Sequence, residues 1–156
     1  DDVAPAGALV ARVIRSPHAS ATFVLGDIDG WKAAHPGVVT VLTAADVPGL
    51  NAFGVIPGFI DQPVFAVHYV RFRGESVACV VGDADAVKAL DLTAFPVDWT
   101  ETPALADIDA ALAPGAPQLF DHRKGNIMCG GLVQCGDADA APPACPRLHP
   151  GPGDGP

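Results

Sequence analysis

The side chains that could do chemistry in this chain are five histidines, four cysteines, two glutamates and a surplus of aspartates. Their spacing decides what that chemistry could be. His18, His35, His68, His122 and His149 stand far apart, with no pair at the i, i+4 spacing that sets two imidazoles on one helix face. A metal site would therefore need several distant segments to converge, and ordinary surface or hydrogen-bonded histidines are the expectation. Cys129 and Cys135 lie in Asn126-Ile-Met-Cys-Gly-Gly-Leu-Val-Gln-Cys-Gly136 without the C-x-x-C spacing of zinc and redox sites. Cys79 falls inside an apolar run where a buried thiol is expected, and Cys145 falls in a Pro/Gly-rich tail. All four are read as reduced and incidental, which favours a cytoplasmic chain.

Only two glutamates occur, Glu75 and Glu101, and either could act as a general base if buried beside a substrate. Glu75 follows Arg73-Gly74 between two strand-like runs, so shaping that turn is its expected task; Glu101 reads as a solvated residue before Thr102-Pro103. No G-x-S-x-G, P-loop, H-E-x-x-H or G-x-G-x-x-G motif is present. On these grounds no catalytic, cofactor-binding or metal-ligating residue is assigned.

The elements that would position such residues are short and β-rich. Ala8 to Ser16, Ala21 to Leu25, Val38 to Thr43, Pro63 to Phe72, Ser76 to Gly82 and Ala94 to Thr100 read as strands, by aliphatic and β-branched content bounded by Gly and Pro. Helices are expected at Asp29 to His35, with Asp29 as N-cap, at Ala84 to Leu92, and at Asp107 to Leu112. Residues 48 to 63 form a long loop. The order predicts an α+β fold, a mixed β-sheet with packed helices.

With 156 residues, the chain is long enough for one cored domain without disulfide or metal staples. Nine Lys and Arg against eighteen Asp and Glu give a net charge of −9, which argues against nucleic acid or anionic lipid as a partner. No apolar run reaches the ~18 residues needed to cross a bilayer, so no membrane is expected. There are 17 Gly and 16 Pro, and they are densest after residue 141. The expected organisation is a folded domain over 1–141 and a disordered Pro/Gly-rich tail over 142–156, whose composition can form no core.

Five collinear pieces of sequence resemble one family. Asp1-Asp2-Val3 with Gly7 and Leu9, followed by Arg15-Ser-Pro-His-Ala-Ser-Ala21, resembles the opening of the α/β-hammerhead domain in the large, molybdopterin-binding subunit of xanthine dehydrogenases and aldehyde oxidases. Pro36-Gly-Val-Val-Thr-Val-Leu-Thr-Ala-Ala-Asp-Val-Pro-Gly49 is similar to that family's P-G-V-x-x-V-x-T-x-x-D-x-P-G, and Val70-Arg-Phe-Arg-Gly-Glu-Ser-Val-Ala78 to its V-R-[FY]-x-G-[EQ]-x-V-A. Val97-Asp-Trp-Thr-Glu-Thr-Pro-Ala-Leu105 is similar to V-D-Y-E-x-L-P-A-V, with Trp99 as the aromatic and Thr100 departing from the acid; Gly125-Asn126 and Gly136-Asp137 match the closing pairs.

The resemblance implies a hammerhead module that precedes molybdenum-binding domains. In the family a molybdenum centre hydroxylates an aldehyde or N-heterocycle with oxygen from water, and electrons leave through [2Fe-2S] clusters, usually to FAD. The family's base and pterin contacts lie downstream of this module, so the resemblance assigns no catalytic or cofactor role to any residue here. It implies no cofactor in this chain, a molybdopterin-type cofactor in the full-length parent, and iron–sulfur and flavin subunits as partners. The expectation is a fragment, inactive alone, whose tail is out of frame or truncated. The alternative is a free-standing docking or binding module with no redox chemistry.

Overall fold

The computed structural model describes residues 5–133, 135 and 136. The expected tail over 142–156, with Cys145 and His149, lies outside them, as do the boundary at 141, the opening Asp1-Asp2-Val3 and Asp137. The fold is α+β, as the sequence predicts. Among the described residues, six strands and three short α-helices follow in the order β1 (Val10–Arg15), β2 (Ala21–Leu25), α1 (Ile28–Ala33), β3 (Val38–Leu42), β4 (Tyr69–Val70), β5 (Ser76–Gly82), α2 (Ala84–Ala89), β6 (Val97–Glu101) and α3 (Ile108–Leu112).

Instead of one mixed sheet, the described strands form two three-stranded sheets, ordered β1-β5-β3 and β4-β2-β6, and every pairing is antiparallel. β1 and β2 are neighbours in sequence yet enter different sheets, because the Ser16–Ser20 bend does not fold one strand back onto the other. The Ser16 hydroxyl closes that bend by donating to His18 O and accepting from His18 N.

Side-chain pattern decides which strand sits centrally. β5 is apolar along Val77 to Val81 and is buried almost throughout, as a middle strand covered on both faces should be. β2 alternates, with Ala21 and Phe23 buried and Thr22 and Val24 exposed, so one face meets the core and the other meets solvent. Ile14, Phe23, Val70, Val77, Val80, Val87 and Phe95 join both sheets and α2 into one cluster. Fully burying one such aliphatic or aromatic side chain contributes roughly 1.5–3 kcal/mol.

Local chemistry moves several expected boundaries. Asp27, not Asp29, caps α1, its Oδ1 accepting from Gly30 N at 2.8 Å; Asp29 sits in the first turn, where a negative charge meets the positive end of the helix dipole. Helix α2 ends at Ala89 rather than Leu92, and the Arg12 guanidinium donates to its last carbonyls, Val87 O, Lys88 O and Leu90 O. The expected strand over Pro63 to Phe72 shrinks to Tyr69–Val70. Ahead of it the Asn51 amide takes over the pairing, donating to Phe65 O at 2.7 Å and accepting from Phe65 N at 3.1 Å.

Two glycines set how closely β3, β5 and α2 approach. Gly37 has φ +95°, and a Cβ there would strike the Ala86 methyl; a Cβ on Gly82 would fall on Gly37 O. The pair Val38↔Gly82 starts the β3–β5 ladder at this crowded point, and the register shifts just after it, between Val38 and Thr40.

Candidate functional site

A cleft of about 680 Å³ lies where the β2–β4 end of the second sheet faces residues 117–122 and the loop around Asp61. Two ion pairs build its walls. The turn Phe72-Arg73-Gly74-Glu75, with Gly74 at φ +93°, swings the Glu75 side chain back under Arg71. Glu75 is only 3% exposed; its Oε2 accepts from Arg71 N at 2.5 Å and its Oε1 from Arg71 Nη1 at 3.2 Å. Arg71 Nε donates to Leu119 O at 2.8 Å, and the guanidinium lies over the Phe120 ring at 4.5 Å. One buried acid thus orients an arginine that binds a segment 48 residues away.

The second pair joins Asp61 to Arg123, with Nη2 2.9 Å from Oδ2. The same guanidinium donates to Gly58 O at 2.8 Å and Met128 O at 3.1 Å, and stacks on Phe59 at 4.9 Å. The 58–61 loop is thereby stapled to residues 123–128. Hydrogen bonding from Arg123 holds the Asp61 carboxyl below its ordinary value of about 3.8, ahead of the opposing effect of desolvation. Asn126, at φ +57°, completes this wall: its amide donates to Ala111 O and Pro117 O and accepts from Leu119 N.

The histidines and acids singled out in the sequence do not assemble. His68 and His122 line the cleft, and His122 Nε2 lies 3.6 Å from Asp61 Oδ2. His18 is elsewhere, packed on Trp99 with its Nδ1 3.8 Å from the exposed Glu101. His35 stacks on Trp31 and bonds Trp31 O at 2.6 Å. Glu75 has the turn-shaping task expected of it, and Glu101 is solvated. Cys79 is buried, which pushes its thiol pKa up; Cys129 and Cys135 are exposed.

Arg71, Arg123, Asp61 and Asn126 organise the cleft although the sequence motifs did not single them out as site residues. Their signals were weak: Arg71 stands four residues before Glu75, and Asn126 follows a glycine in a turn. Both arginines are committed to carboxylates of the same chain, which leaves the cleft with polar walls and apolar patches from Ile60, Leu119, Phe120 and three prolines.

The sequence matches, over residues 1–103, the family model described as aldehyde oxidase and xanthine dehydrogenase, a/b hammerhead domain. It is 34% identical over 140 residues to a probable xanthine dehydrogenase subunit of Bacillus subtilis, covering 88% of this chain and 18% of that protein. It is 39% identical over 127 residues to the carbon monoxide dehydrogenase large chain of Afipia carboxidovorans, covering 80% and 15%. In structure it resembles the aldehyde oxidoreductase of Desulfovibrio gigas with a TM-score of 0.63 and 27% identity, over 74% of this chain and 13% of that one. The chain thus spans under a fifth of the length of these relatives. A hammerhead match over residues 1–103, which contain the strands of both sheets, together with the structural likeness, means that the chain belongs to the aldehyde oxidase and xanthine dehydrogenase family and carries its α/β-hammerhead domain.

Proposed function

We propose that this chain is the hammerhead scaffold of a molybdenum-dependent hydroxylase that oxidises an aldehyde or N-heterocycle with water-derived oxygen, and that it has no activity alone. The observation that carries this reading is an exposed apolar surface on the stapled side of the cleft. Val55, Ile56 and Ile60 stand on the 48–63 loop, and Ile127 and Met128 on the segment that Arg123 ties to it; Val55 is 99% exposed and Met128 60%. Loops that present apolar side chains while their backbones are fixed by a buried-side ion pair are organised for a partner surface. The partner in this reading is the molybdenum-binding part of the large subunit, with iron–sulfur and flavin subunits beyond it.

We assign no chemical step to this chain. Among the described residues, no three His, Cys, Asp or Glu side chains are grouped to hold a metal. The one buried side-chain polar atom among them without a partner, Trp31 Nε1, does not line the cleft, and no residue here is assigned to a pterin–molybdenum group. No helix among them is long and apolar enough to cross a membrane.

The test is to purify the chain alone and together with a co-expressed molybdenum-binding partner, and to measure molybdenum content and hydroxylation of aldehyde and N-heterocycle substrates. The expected result is no molybdenum and no turnover alone, and a stable, molybdenum-containing complex with the partner that Ile56→Asp and Met128→Asp weaken. Molybdenum retained by the isolated chain overturns the reading. A complex indifferent to both substitutions removes the apolar surface as its basis.

A further inference from the structure

Two thiols outside the cleft share one short, open stretch of chain. Cys129 and Cys135 are both exposed and free, with five residues between them, whereas Cys79 is buried and its thiol pKa is pushed up. Among the described residues, these two are therefore the thiols that a dissolved oxidant reaches. A disulfide needs Cα atoms about 4.4–6.8 Å apart, while six extended Cα steps span about 20 Å, so the backbone must turn between them. Gly130-Gly131 directly follows Cys129, and a Cβ on either glycine would meet no atom within 4 Å. Glycine takes the turn conformations closed to other residues, and here no packed neighbour has to give way. Leu132 and Val133 are 85% and 99% exposed, so a turn at this point withdraws neither side chain from the core. Upstream the chain is held, with Ile127 N donating to Lys124 O at 3.4 Å and Arg123 Nη1 to Met128 O at 3.1 Å. Cys129 thus starts from a fixed base, and closure needs movement only within 129–135.

We infer that Cys129 and Cys135 are a reversible thiol–disulfide pair, closed by exchange with a low-molecular-weight disulfide such as oxidised glutathione. The thiolate of one cysteine attacks a sulfur of the small disulfide, forming a mixed disulfide and releasing one small thiolate. The thiolate of the other cysteine then attacks the protein sulfur of that mixed disulfide, which closes the ring and releases the second small thiolate. Two protein thiols are oxidised, the small disulfide is reduced to two thiols, and the two protons lost by the protein pass to them. A short flexible linker gives an effective concentration in the millimolar range, so the second step is favoured over the same attack between two chains at micromolar protein. An exposed disulfide is of the labile, readily reduced kind. The inference concerns this chain's own thiols and stands whether or not the apolar surface docks a partner.

The test equilibrates the full chain carrying Cys145→Ser, which removes the thiol outside the described residues, with mixtures of reduced and oxidised glutathione. After acid quenching and alkylation, peptide mass mapping reads the linkage. The expected product is a 129–135 disulfide, two hydrogens lighter than the reduced chain, with an effective concentration of about 1–10 mM. Cys129→Ser and Cys135→Ser should each stop at a glutathione adduct, and Cys79 should stay unmodified until urea exposes it. An effective concentration below about 0.1 mM overturns the inference, as do links between two chains that grow with protein concentration. A ring that closes in urea but not in buffer overturns it too, since the fold would then hold the two thiols apart.

Discussion

Replacing Glu75 by alanine tests whether the cleft is organised by its buried acid. The carboxylate has two duties, accepting the Arg71 backbone N–H and pairing with the Arg71 guanidinium, and its own side chain is almost fully enclosed. Orphaning a buried backbone donor costs about 1–3 kcal/mol. Removing one partner of a fully buried ion pair costs about 3–5 kcal/mol. The full sum does not apply here, because the Arg71 side chain is 23% exposed and keeps Leu119 O and the Phe120 ring, so water and these contacts recover part of the loss. The expected cost of Glu75→Ala is about 3 kcal/mol, and of Glu75→Gln, which retains an acceptor for the backbone N–H, about half that. In urea, with a slope of about 2 kcal/mol/M, the alanine variant should unfold at a midpoint about 1.5 M lower. A double-mutant cycle with Arg71→Ala should show a coupling above about 1 kcal/mol. If both Glu75 variants lie within about 0.5 kcal/mol of the parent protein, the carboxylate does not hold the cleft together.

Two further outcomes can be checked on the same protein. Gly82→Ala places a Cβ on Gly37 O at the start of the β3–β5 ladder, where both partners are backbone and neither can swing aside; it should cost about 1–3 kcal/mol, read as a fall in Tm, whereas Gly130→Ala, in open space, should be close to neutral. The carboxyls of Asp61, Asp46 and Asp91 are all held below about 3.8 by hydrogen bonds, from Arg123, Thr43 and Thr93 respectively. Below that ordinary value the unfolded chain binds more protons than the folded one, so this contribution is present above about pH 4 and is lost as pH falls through the lower, folded-state values. Urea midpoints measured across this window should therefore fall towards acid, and Asp61→Asn should make the fall shallower; an unchanged slope would show that the Asp61–Arg123 pair is not formed in solution.

Much of the fold was legible because period and punctuation are local. β1, β2, β3 and β5 lie within their expected runs, and α3 falls within the expected Asp107 to Leu112, with Asp107 as its cap, the side chain accepting from Ala110 N within its own turn. The misread elements each depend on a distant group. β4 is short because Asn51, 14 residues away, takes the pairing of Phe65, and α2 stops early where Arg12 from β1 bonds its last carbonyls. Glu75 was rightly given a turn, but its pairing with an arginine that also holds Leu119 O and the Phe120 ring could not be read from that turn.

By itself, the sequence determined the α+β class, the strand and helix content, the absence of spaced ligand motifs and the family resemblance, because each rests on neighbours along the chain. Only the tertiary structure decided that the strands divide into two antiparallel sheets, that Arg71 and Arg123 draw remote loops around one cleft, and that β1 is left with an open edge. Pairing partners and ion pairs are chosen among segments dozens of residues apart, where what counts is which backbone groups and charges would otherwise be buried unmet, and no local pattern carries that information.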